Sequence, residues 1–346
     1  MNSRHAVTRN VVRNLLGVLG VSVLAAACAS GGGAGSTGGS GGSVTIVYGT
    51  SSLLYAPLQV AEKQGFFKAA GVEVNLVPSS SGNAALEAAI GGSGEIVASG
   101  LSNDVLAAAK GHSLEFFATL ASRLPNNLII STAVAKQKGI TPSSTLQQKV
   151  TALKGLTIGD TGAGSVTDQV LQWTLRKYGI NPKTDVQIVS LGGDSATAVA
   201  GLENGRIQAL LYPAPTPETL YASGKGELLV NFAGNEMQPA PGYMLGLMAS
   251  KDFIDSHRAT VRDVTKAVSR AETFMHKDPG QAEAALYTYF STENSKVFRQ
   301  AYTDELPTIP ETSTVDMAEI PSVINFVRQF SPVSNVKVSS LAGPVG

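Results

Sequence analysis

The stretch VTIVYGTSSLLYAPLQVAEKQGFFKAAGVEVNLV, residues 44–77, contains two strand-like segments separated by a helix-like one. Residues 44–48 are apolar and rich in β-branched side chains, and residues 72–77 alternate apolar with polar side chains. Between them, residues 56–70 place apolar side chains three and four positions apart, which is the period of an α-helix. A strand, a helix and a strand in this order predict one βαβ unit of a parallel sheet.

The same alternation continues along the chain and then restarts. Further strands are predicted at 95–99, 114–120 and 128–131, with helices at 83–90 and 103–110. After a polar segment, 135–153, which we expect to cross between lobes, strands follow at 156–159, 186–191, 207–212 and 228–232. Helices at 165–178, 196–204 and 218–223 separate them. A strand at 243–249 is expected to return to the first lobe, followed by helices within 251–289 and 295–330.

This order predicts an α/β protein made of two Rossmann-like lobes with a ligand cleft between them. The predicted first lobe comprises residues 44–131 and 240–330, the second lobe comprises 132–239, and a C-terminal tail covers 331–346. Open sheets of this kind bind ligands beyond the carboxyl ends of their strands. Two such lobes that face each other form a cleft that can close by hinge motion.

The N-terminal residues have the features of an export signal. Arg4, Arg9 and Arg13 precede an apolar run of 13 residues, 15–27, which is shorter than the roughly 20 residues needed to span a bilayer. Small residues directly before Cys28, the only cysteine in the chain, resemble the lipobox of bacterial lipoproteins. We therefore predict a signal peptide over 1–27 and lipidation of Cys28. The alternative is an ordinary signal peptide, cut near the three alanines, with Cys28 incidental.

Residues 28–43 form the predicted tether, because after Cys28 they are almost wholly Gly, Ser, Ala and Thr. Such a segment behaves as a flexible coil with a reach of about 20 Å. A lipidated cysteine followed by this spacer predicts an extracytoplasmic protein that is attached to the cell membrane through its lipid alone.

Composition excludes several other classes of function. Charged residues make up 15% of the chain and the formal net charge is zero, which disfavours a nucleic-acid partner. The four histidines are scattered and no metal-ligand spacing occurs, so we expect no metal site and no cofactor. We expect the protein to be a monomer.

Several segments together resemble the substrate-binding proteins of ABC importers that handle sulfonates, nitrate and thiamine-pyrimidine precursors. These segments are 56–67, 71–77, Leu153-Lys-Gly155, Gly164-Ser-Val-Thr-Asp168 and Leu191-Gly-Gly193. The resemblance covers nearly all of residues 44–330. It implies a type II periplasmic-binding-protein fold with two crossovers between lobes, no catalysis, and a permease and an ATPase as partners. Three departures are Val97 and Gln208, where the family commonly has Asp, and Pro213-Ala-Pro215, which replaces an aromatic-acid-proline loop.

Candidate ligand-binding residues lie in turns that follow strands and open helices. Helix N-termini offer unpaired backbone N–H groups and a partial positive charge, which suit anions and electron-rich atoms. In the first lobe these residues are Thr50, Ser51, Ser52, Tyr55, Ser80, Ser81, Gly82, Asn83, Gly100, Ser102 and Asn103. In the second lobe they are Thr161, Gly162, Ala163, Gly164, Ser165, Gly192, Gly193 and Asp194. Arg123 is either a partner for an anion or a solvated arginine at the rim of the cleft. Tyr212 and Tyr243 are either aromatic surfaces for a flat ligand or buried strand residues. The alternative for the Ser, Asn and Asp residues of these turns is helix capping alone. We interpret Asp168 as a helix-terminus charge rather than a ligand contact, and Trp173, at core spacing within a helix, as packing.

The sequence therefore predicts a membrane-anchored substrate-binding lipoprotein that captures a small polar solute for an ABC permease. A binding-protein fold used as a sensor or a surface-interaction lipoprotein is the alternative. An enzyme is disfavoured, because related eukaryotic pyrimidine synthases use a cysteine-rich motif and residues 44–346 contain no cysteine. The residues leave two ligand classes open, a sulfonate-like anion and a neutral heteroaromatic compound such as a pyrimidine.

Overall fold

A computed structural model describes residues 43–50, 52–112, 114–234, 236–237, 242–333 and 335–342. These residues belong to one compact unit, 40–346. Cys28, the predicted signal peptide, nearly all of the tether and Ser51 lie outside the described residues. The described strands are β1 (Ser43–Tyr48), β2 (Glu73–Pro78), β3 (Ile96–Gly100), β4 (Leu114–Ala121), β5 (Asn126–Ser131), β6 (Thr157–Asp160), β7 (Gln187–Ser190), β8 (Ala209–Pro213), β9 (Gly226–Asn231) and β10 (Leu245–Ser250).

Helices connect the strands and cover both sheets. They are α1 (Ala56–Lys63), α2 (Phe66–Ala69), α3 (Gly82–Ile90), α4 (Leu101–Ala109), α5 (Thr132–Gln137), α6 (Leu146–Thr151), α7 (Val166–Lys177), α8 (Ser195–Glu203), α9 (Thr216–Ala222), α10 (Lys251–Ser256), α11 (Arg258–Lys277), α12 (Pro279–Tyr287), α13 (Ser295–Glu305) and α14 (Ile320–Arg328). Short 3₁₀ turns occur at Leu53–Tyr55, Leu306–Thr308 and Val338–Ser340. Within the described part of the chain, none of the helices has the length and apolar character needed to span a bilayer.

The two five-stranded sheets have the same strand order. The first is β2-β1-β3-β10-β4 and the second is β7-β6-β8-β5-β9. In each sheet the first three strands are parallel, and the fourth is antiparallel to both of its neighbours. That antiparallel strand is the one the chain enters directly after leaving the other sheet, so the chain crosses twice. This arrangement confirms the predicted α/β fold with two Rossmann-like lobes.

Two details of the predicted organisation are wrong. The prediction placed residues 128–131 in the first lobe, but β5 pairs with β8 and β9 and therefore belongs to the second sheet. The first crossing is the short segment 122–125, between β4 and β5. The expected crossing at 135–153 contains α5 and α6 instead, and α6 begins with a capping box in which Thr145 and Gln148 bond reciprocally.

The first lobe consists of the first sheet with α1–α4 and α10–α14, and the second lobe consists of the second sheet with α5–α9. Apolar packing joins them, because one buried cluster contains Trp173 of α7 and Phe326 of α14. Their rings meet edge to face with centroids 6.2 Å apart, and Trp173 Nε1 donates to Gln329 Oε1 at 2.9 Å. The predicted packing role of Trp173 is confirmed, and its packing joins the two lobes.

The predicted C-terminal tail, 331–346, adds to the first sheet. Phe116 of β4 donates its backbone N–H to Leu341 O at 2.7 Å, and Phe116 and Ala342 form a parallel bridge. Leu341 and Ala342 are both buried. Leu341 and Ala342 therefore pair with the outer edge of β4 through a single bridge.

Candidate functional site

Turns from both lobes meet around a small enclosed space, which we call the inner cavity. Its first-lobe lining comprises Thr50, Leu54, Tyr55, Gly82, Gly100, Tyr243 and Leu245, and its second-lobe lining comprises Asn126, Thr161, Ser165, Val166 and Thr167. Most of these residues follow the carboxyl ends of β1, β3 and β6, where an open α/β sheet binds its ligands. The volume is about 30 Å³, which exceeds the roughly 10–15 Å³ that one water molecule needs.

Three helices begin beside the inner cavity. Ser81 caps α3, since its Oγ accepts from Ala84 N at 3.1 Å, and Ser165 caps α7 by accepting from Asp168 N at 3.2 Å. Gly100 is the N-cap residue of α4 and offers no side-chain cap. Ser81 and Ser165 therefore both cap helices. Ser165 also lines the inner cavity, and Ser81 lies next to the lining residue Gly82 and faces Gly162 of the second lobe.

A cluster of three buried hydroxyls forms the second-lobe wall. Thr161 Oγ1 and Thr167 Oγ1 lie 2.5 Å apart, Ser165 Oγ lies 2.7 Å from Thr167 Oγ1, and Thr161 Oγ1 donates to Ser165 Oγ at 3.0 Å. Each hydroxyl both donates and accepts, so the cluster can turn either an O–H or a lone pair toward a ligand. On the opposite wall, Thr50 Oγ1 donates to Ser52 Oγ at 3.0 Å.

A chain of hydrogen bonds joins the two lobes beside this cluster. Gln169 Nε2 of α7 donates to Asn103 Oδ1 of α4 at 2.6 Å and also to Gly164 O at 2.9 Å. Asn103 Nδ2 in turn donates to Ser99 Oγ at 3.1 Å, and Ser99 Oγ donates to Gly82 O at 2.9 Å. Gln169 and Asn103 are both buried, so these bonds are shielded from water and fix the approach of the lobes.

One lining side chain, Asn126, has a donor without a described partner, and another, Tyr55, keeps its phenol protonated. Asn126 is 1% exposed, and its Nδ2 has no partner among the described residues. Burial raises the pKa of Tyr55, and a smaller opposite effect comes from the backbone hydrogen bond with Gly49, so the phenol keeps its proton. A buried donor without a partner costs about 1–3 kcal/mol, and a ligand acceptor would recover that loss.

A buried carboxyl lies directly behind the hydroxyl wall. Asp160 Oδ1 accepts from Gly162 N at 2.9 Å, while Oδ2 has no partner among the described residues. Burial, and then the nearby Asp168, raise the pKa of Asp160 to about 7. Asp168 lies in the first turn of α7 and accepts from Gly164 N at 2.8 Å, which agrees with its interpretation as a helix-terminus charge.

Glycines allow the lobes to touch. A Cβ on Gly100 would lie 2.4 Å from Val166 Cγ2, and a Cβ on Gly193 would lie 2.4 Å from Thr50 Cγ2. Both distances are well below the 3.5–4.0 Å of an ordinary carbon–carbon contact, so neither position has room for a side chain. The structure therefore shows the lobes in direct contact around the inner cavity.

A second, larger space opens beside the inner cavity, and we call it the outer cavity. It has a volume of about 580 Å³. Its first-lobe lining includes Ser79, Ser80, Tyr289, Phe290 and Glu293, and its second-lobe lining includes Gly192, Gly193 and Asp194. Within the described residues, no group of three or more His, Cys, Asp and Glu is arranged to hold a metal ion.

The structure gathers most of the predicted ligand-binding residues between the lobes. Thr50, Tyr55, Gly82, Gly100, Thr161 and Ser165 line the inner cavity, and Ser80, Gly192, Gly193 and Asp194 line the outer one. Gly162 faces Ser81, and Gly164 faces Asn83, across the lobes. Ser52, Ser102, Asn103 and Tyr212 are buried nearby, with the Tyr212 hydroxyl donating to Gly192 O.

Two predicted residues point elsewhere, and two important ones were missed. Arg123 is exposed on the first crossing and lines neither cavity, and Ala163 is exposed with its N–H bonded to Ser190 Oγ at 3.0 Å. Asn126 and Gln169 were not predicted. Gln169 had one usable signal, because it lies one helical turn after the cap residue Ser165 and hence on the same face of α7.

Residues 43–288 match the model of the NMT1-like family, and because this is most of the chain, the protein belongs to that family. YtlA of Bacillus subtilis (strain 168), provisionally described as a binding protein, is 23% identical over 234 residues. The match covers 67% of this chain and 66% of YtlA, just under two thirds of its length.

Solved structures share the two-lobed architecture. A protein of Bordetella bronchiseptica RB50 is 23% identical, with a TM-score of 0.77, and the match covers 87% of this chain and 94% of that one. The alkanesulfonate-binding protein SsuA from Xanthomonas axonopodis pv. citri, bound to MOPS, is 18% identical with a TM-score of 0.67, over 84% and 95%. These likenesses confirm the predicted periplasmic-binding-protein fold.

Proposed function

We propose that this member of the NMT1-like family is the extracytoplasmic solute-binding component of an ABC-type importer. It captures a small polar molecule between its lobes and delivers it to a permease that an ATPase drives. The observation that carries this proposal is the inner cavity, where hydroxyl, amide and backbone groups from both lobes surround one buried space. The descriptions of YtlA and SsuA as binding proteins support it.

Binding and closure are coupled in this proposal. A ligand that contacts both lobes binds the closed form more tightly than the open form, and so shifts the population toward closure. The Gln169–Asn103 bond and the Trp173–Phe326 contact are made between lobes and stabilise the same closed form. A solute larger than one water molecule must hold the lobes slightly further apart than the inner cavity shows.

The protein binds its solute without converting it. In the inner cavity the hydroxyls of Thr161, Ser165 and Thr167 bond to one another, and the described lining contains no histidine, cysteine or carboxylate that could activate them. An activated nucleophile needs a base within hydrogen-bond reach.

Cys28 and residues 28–43 would hold this body at the outer face of the cell membrane as a monomeric lipoprotein. Changing Cys28→Ser removes the only thiol in the chain. We expect the wild-type protein in the membrane fraction of the native host and the variant in the soluble extracytoplasmic fraction. Equal membrane association of both proteins would contradict lipid anchoring and leave solute binding untouched.

The binding proposal is tested by a thermal-shift screen of sulfonates, nitrate, pyrimidines and flavins. A ligand at 100 times its dissociation constant stabilises the folded protein by about 2.7 kcal/mol. Calorimetry on Ser81→Ala and Ser165→Ala then tests the site, one variant in each lobe, with the exposed Ser143→Ala as the control. We expect weaker binding in both cap variants and none of that loss in the control. Unchanged affinity in both cap variants would contradict the assigned site.

A further inference from the structure

The two cavities between the lobes contain no basic side chain in their described lining. The inner cavity is lined by hydroxyls, one amide, glycine backbone and apolar side chains. The outer cavity adds two acidic residues, Asp194 and Glu293, and no lysine, arginine or histidine among its described residues. A sulfonate or a nitrate ion in either cavity would therefore have no cationic side chain in contact with it.

Helix N-termini are the other source of positive potential, and an acid offsets one of the three beside the inner cavity. Asp168 lies in the first turn of α7 and is buried. Since a helix N-terminus carries only about half a positive charge, one carboxylate in the first turn offsets it. Asp104 lies in the first turn of α4, but burial raises the pKa of Asp104 well above its usual range, so this carboxyl stays neutral and leaves that N-terminus unchanged.

Arg123, the one cation that the sequence offered for an anionic ligand, does not supply the missing charge. It is exposed on the segment between β4 and β5 and lines neither cavity. A fixed anion removed from water without a partner loses far more solvation energy than an uncharged polar group does.

Asn126 shows what the site can recognise instead. Its side chain lines the inner cavity, is 1% exposed, and carries an Nδ2 donor without a partner among the described residues. An amide N–H is neutral and donates to carbonyl, sulfonyl, ether or ring-nitrogen acceptors alike. It satisfies one acceptor of an uncharged solute completely, whereas it leaves a full negative charge largely uncompensated.

We infer that the site between the lobes takes a solute without a negative charge, which presents a hydrogen-bond acceptor to Asn126, and that it discriminates against anions. This inference rests on the proposed function and narrows the two ligand classes that the sequence left open to the uncharged one. Discrimination follows from differences between affinities, so a lining with two acids and no described cationic side chain disfavours an anion even where its shape fits.

Three pairs of compounds that share a scaffold and differ in charge test the inference on the wild-type protein. The pairs are dimethyl sulfone with methanesulfonate, uracil with orotate, and nicotinamide with nicotinate, each measured by calorimetry and by the emission of Trp173, the only tryptophan. We expect at least one uncharged member to bind, and to bind at least 100-fold more tightly than its anionic partner. An anion that binds as tightly as its uncharged partner would overturn the inference and leave the proposed function standing. Failure of every compound to bind would count against both.

Two variants, at Asn126 and at Arg123, are compared by their affinity for the uncharged compound that binds. Asn126→Asp replaces the donor with an acid at nearly constant volume, and we expect at least a 10-fold loss of affinity. Arg123→Ala is expected to change that affinity less than twofold, because the guanidinium lies outside both cavities. A loss in Arg123→Ala as large as in Asn126→Asp would overturn the inference. If Asn126→Asp does not fold, Asn126→Ser removes the amide without adding a charge and carries the same expectation.

Discussion

In the first lobe, β1 ends at Tyr48 and is followed by Gly49 and Thr50, whereas in the second lobe the corresponding strand β6 ends at Asp160 and is followed by Thr161. Both strands occupy the second place of their sheets, between the same kinds of neighbours. The same strand order thus ends in a buried aromatic residue in one lobe and in a buried acid in the other, and the next turns bring Thr50 and Thr161 to the inner cavity. Topology places the turns, and the side chains alone decide their chemistry.

The lobes also differ in how they contribute polar groups. The first lobe adds the aromatic residues Tyr55 and Tyr243, and the second lobe adds the hydroxyl cluster of Thr161, Ser165 and Thr167 together with the amide of Asn126. Neither set encloses a solute alone. The two lobes are therefore alike in fold and complementary in chemistry, and three changes to contacts between them test that comparison.

The largest effect is expected for Glu218→Gln, where α9 of the second lobe packs against α13 of the first. Burial, with a smaller contribution from Asp304, raises the pKa of Glu218 from 4.5 to about 7, and Glu218 itself contributes to raising that of the buried Glu305. The folded protein therefore holds a proton that the unfolded chain releases between pH 4.5 and 7, so this group's contribution to stability falls as the pH rises through that window.

Removing that ionisation should make Glu218→Gln more stable than wild type at pH 8, by up to about 3 kcal/mol, and nearly equal to it at pH 4.5. A glutamine oxygen can still accept the hydrogen bond that Asn127 Nδ2 makes at 3.0 Å. Urea unfolding at the two pH values measures the difference, with the exposed Glu311→Gln as the control. A difference of the same size at both pH values would show that Glu218 does not titrate in this window.

A smaller effect is expected for Gly100→Ala, which inserts a first-lobe methyl against second-lobe Val166. Because the new Cβ would lie 2.4 Å from Val166 Cγ2, the lobes must separate or repack, at a cost of about 2 kcal/mol. Urea unfolding measures the stability and small-angle scattering measures the radius of gyration.

The double variant Gly100→Ala with Val166→Ala provides the matched test, since the remaining Val166 Cβ lies 3.8 Å from the new atom. We expect it to recover the wild-type radius of gyration. A radius unchanged in the single variant would mean that the two lobes do not depend on this contact for their separation.

The smallest effect is expected for Gln329→Ala, which removes the acceptor of the Trp173 indole N–H. Loss of one such hydrogen bond between lobes should lower stability by about 1 kcal/mol and shift the emission of Trp173. The control is Gln147→Ala, which removes an exposed bond to Thr151 within one helix. An effect no larger than that of the control would show that the hydrogen bond between Trp173 and Gln329 does not stabilise the contact between the lobes.

Much of the fold was predictable, because residues 44–77 carry the period of each element in their side chains. The boundary between lobes was not predictable, since the apolar residues 128–130 suit a strand of either sheet and only their pairing with β8 and β9 assigns them. Strand pairing is a contact between distant residues and leaves little local trace.

The turns of the site were predictable because Ser81 and Ser165 follow strands and cap helices, a pattern with a local cause. Asn126 and Gln169 were not predictable as site residues, because the role of each depends on its position opposite residues of the other lobe. Arg123 was a candidate ligand residue because of its charge, and neighbouring residues in the sequence do not reveal that its side chain is exposed.

The pairing of Leu341 and Ala342 with Phe116 at the edge of β4 matters to anyone who would build a sensor from this protein. A chain shortened at residue 330 would leave the Phe116 backbone N–H at the outer edge of β4 without its partner and available for pairing with other molecules. A fluorescent reporter is better joined beyond Ala342, because the pairing with Phe116 then stays in place and protects this edge of β4 from aggregation.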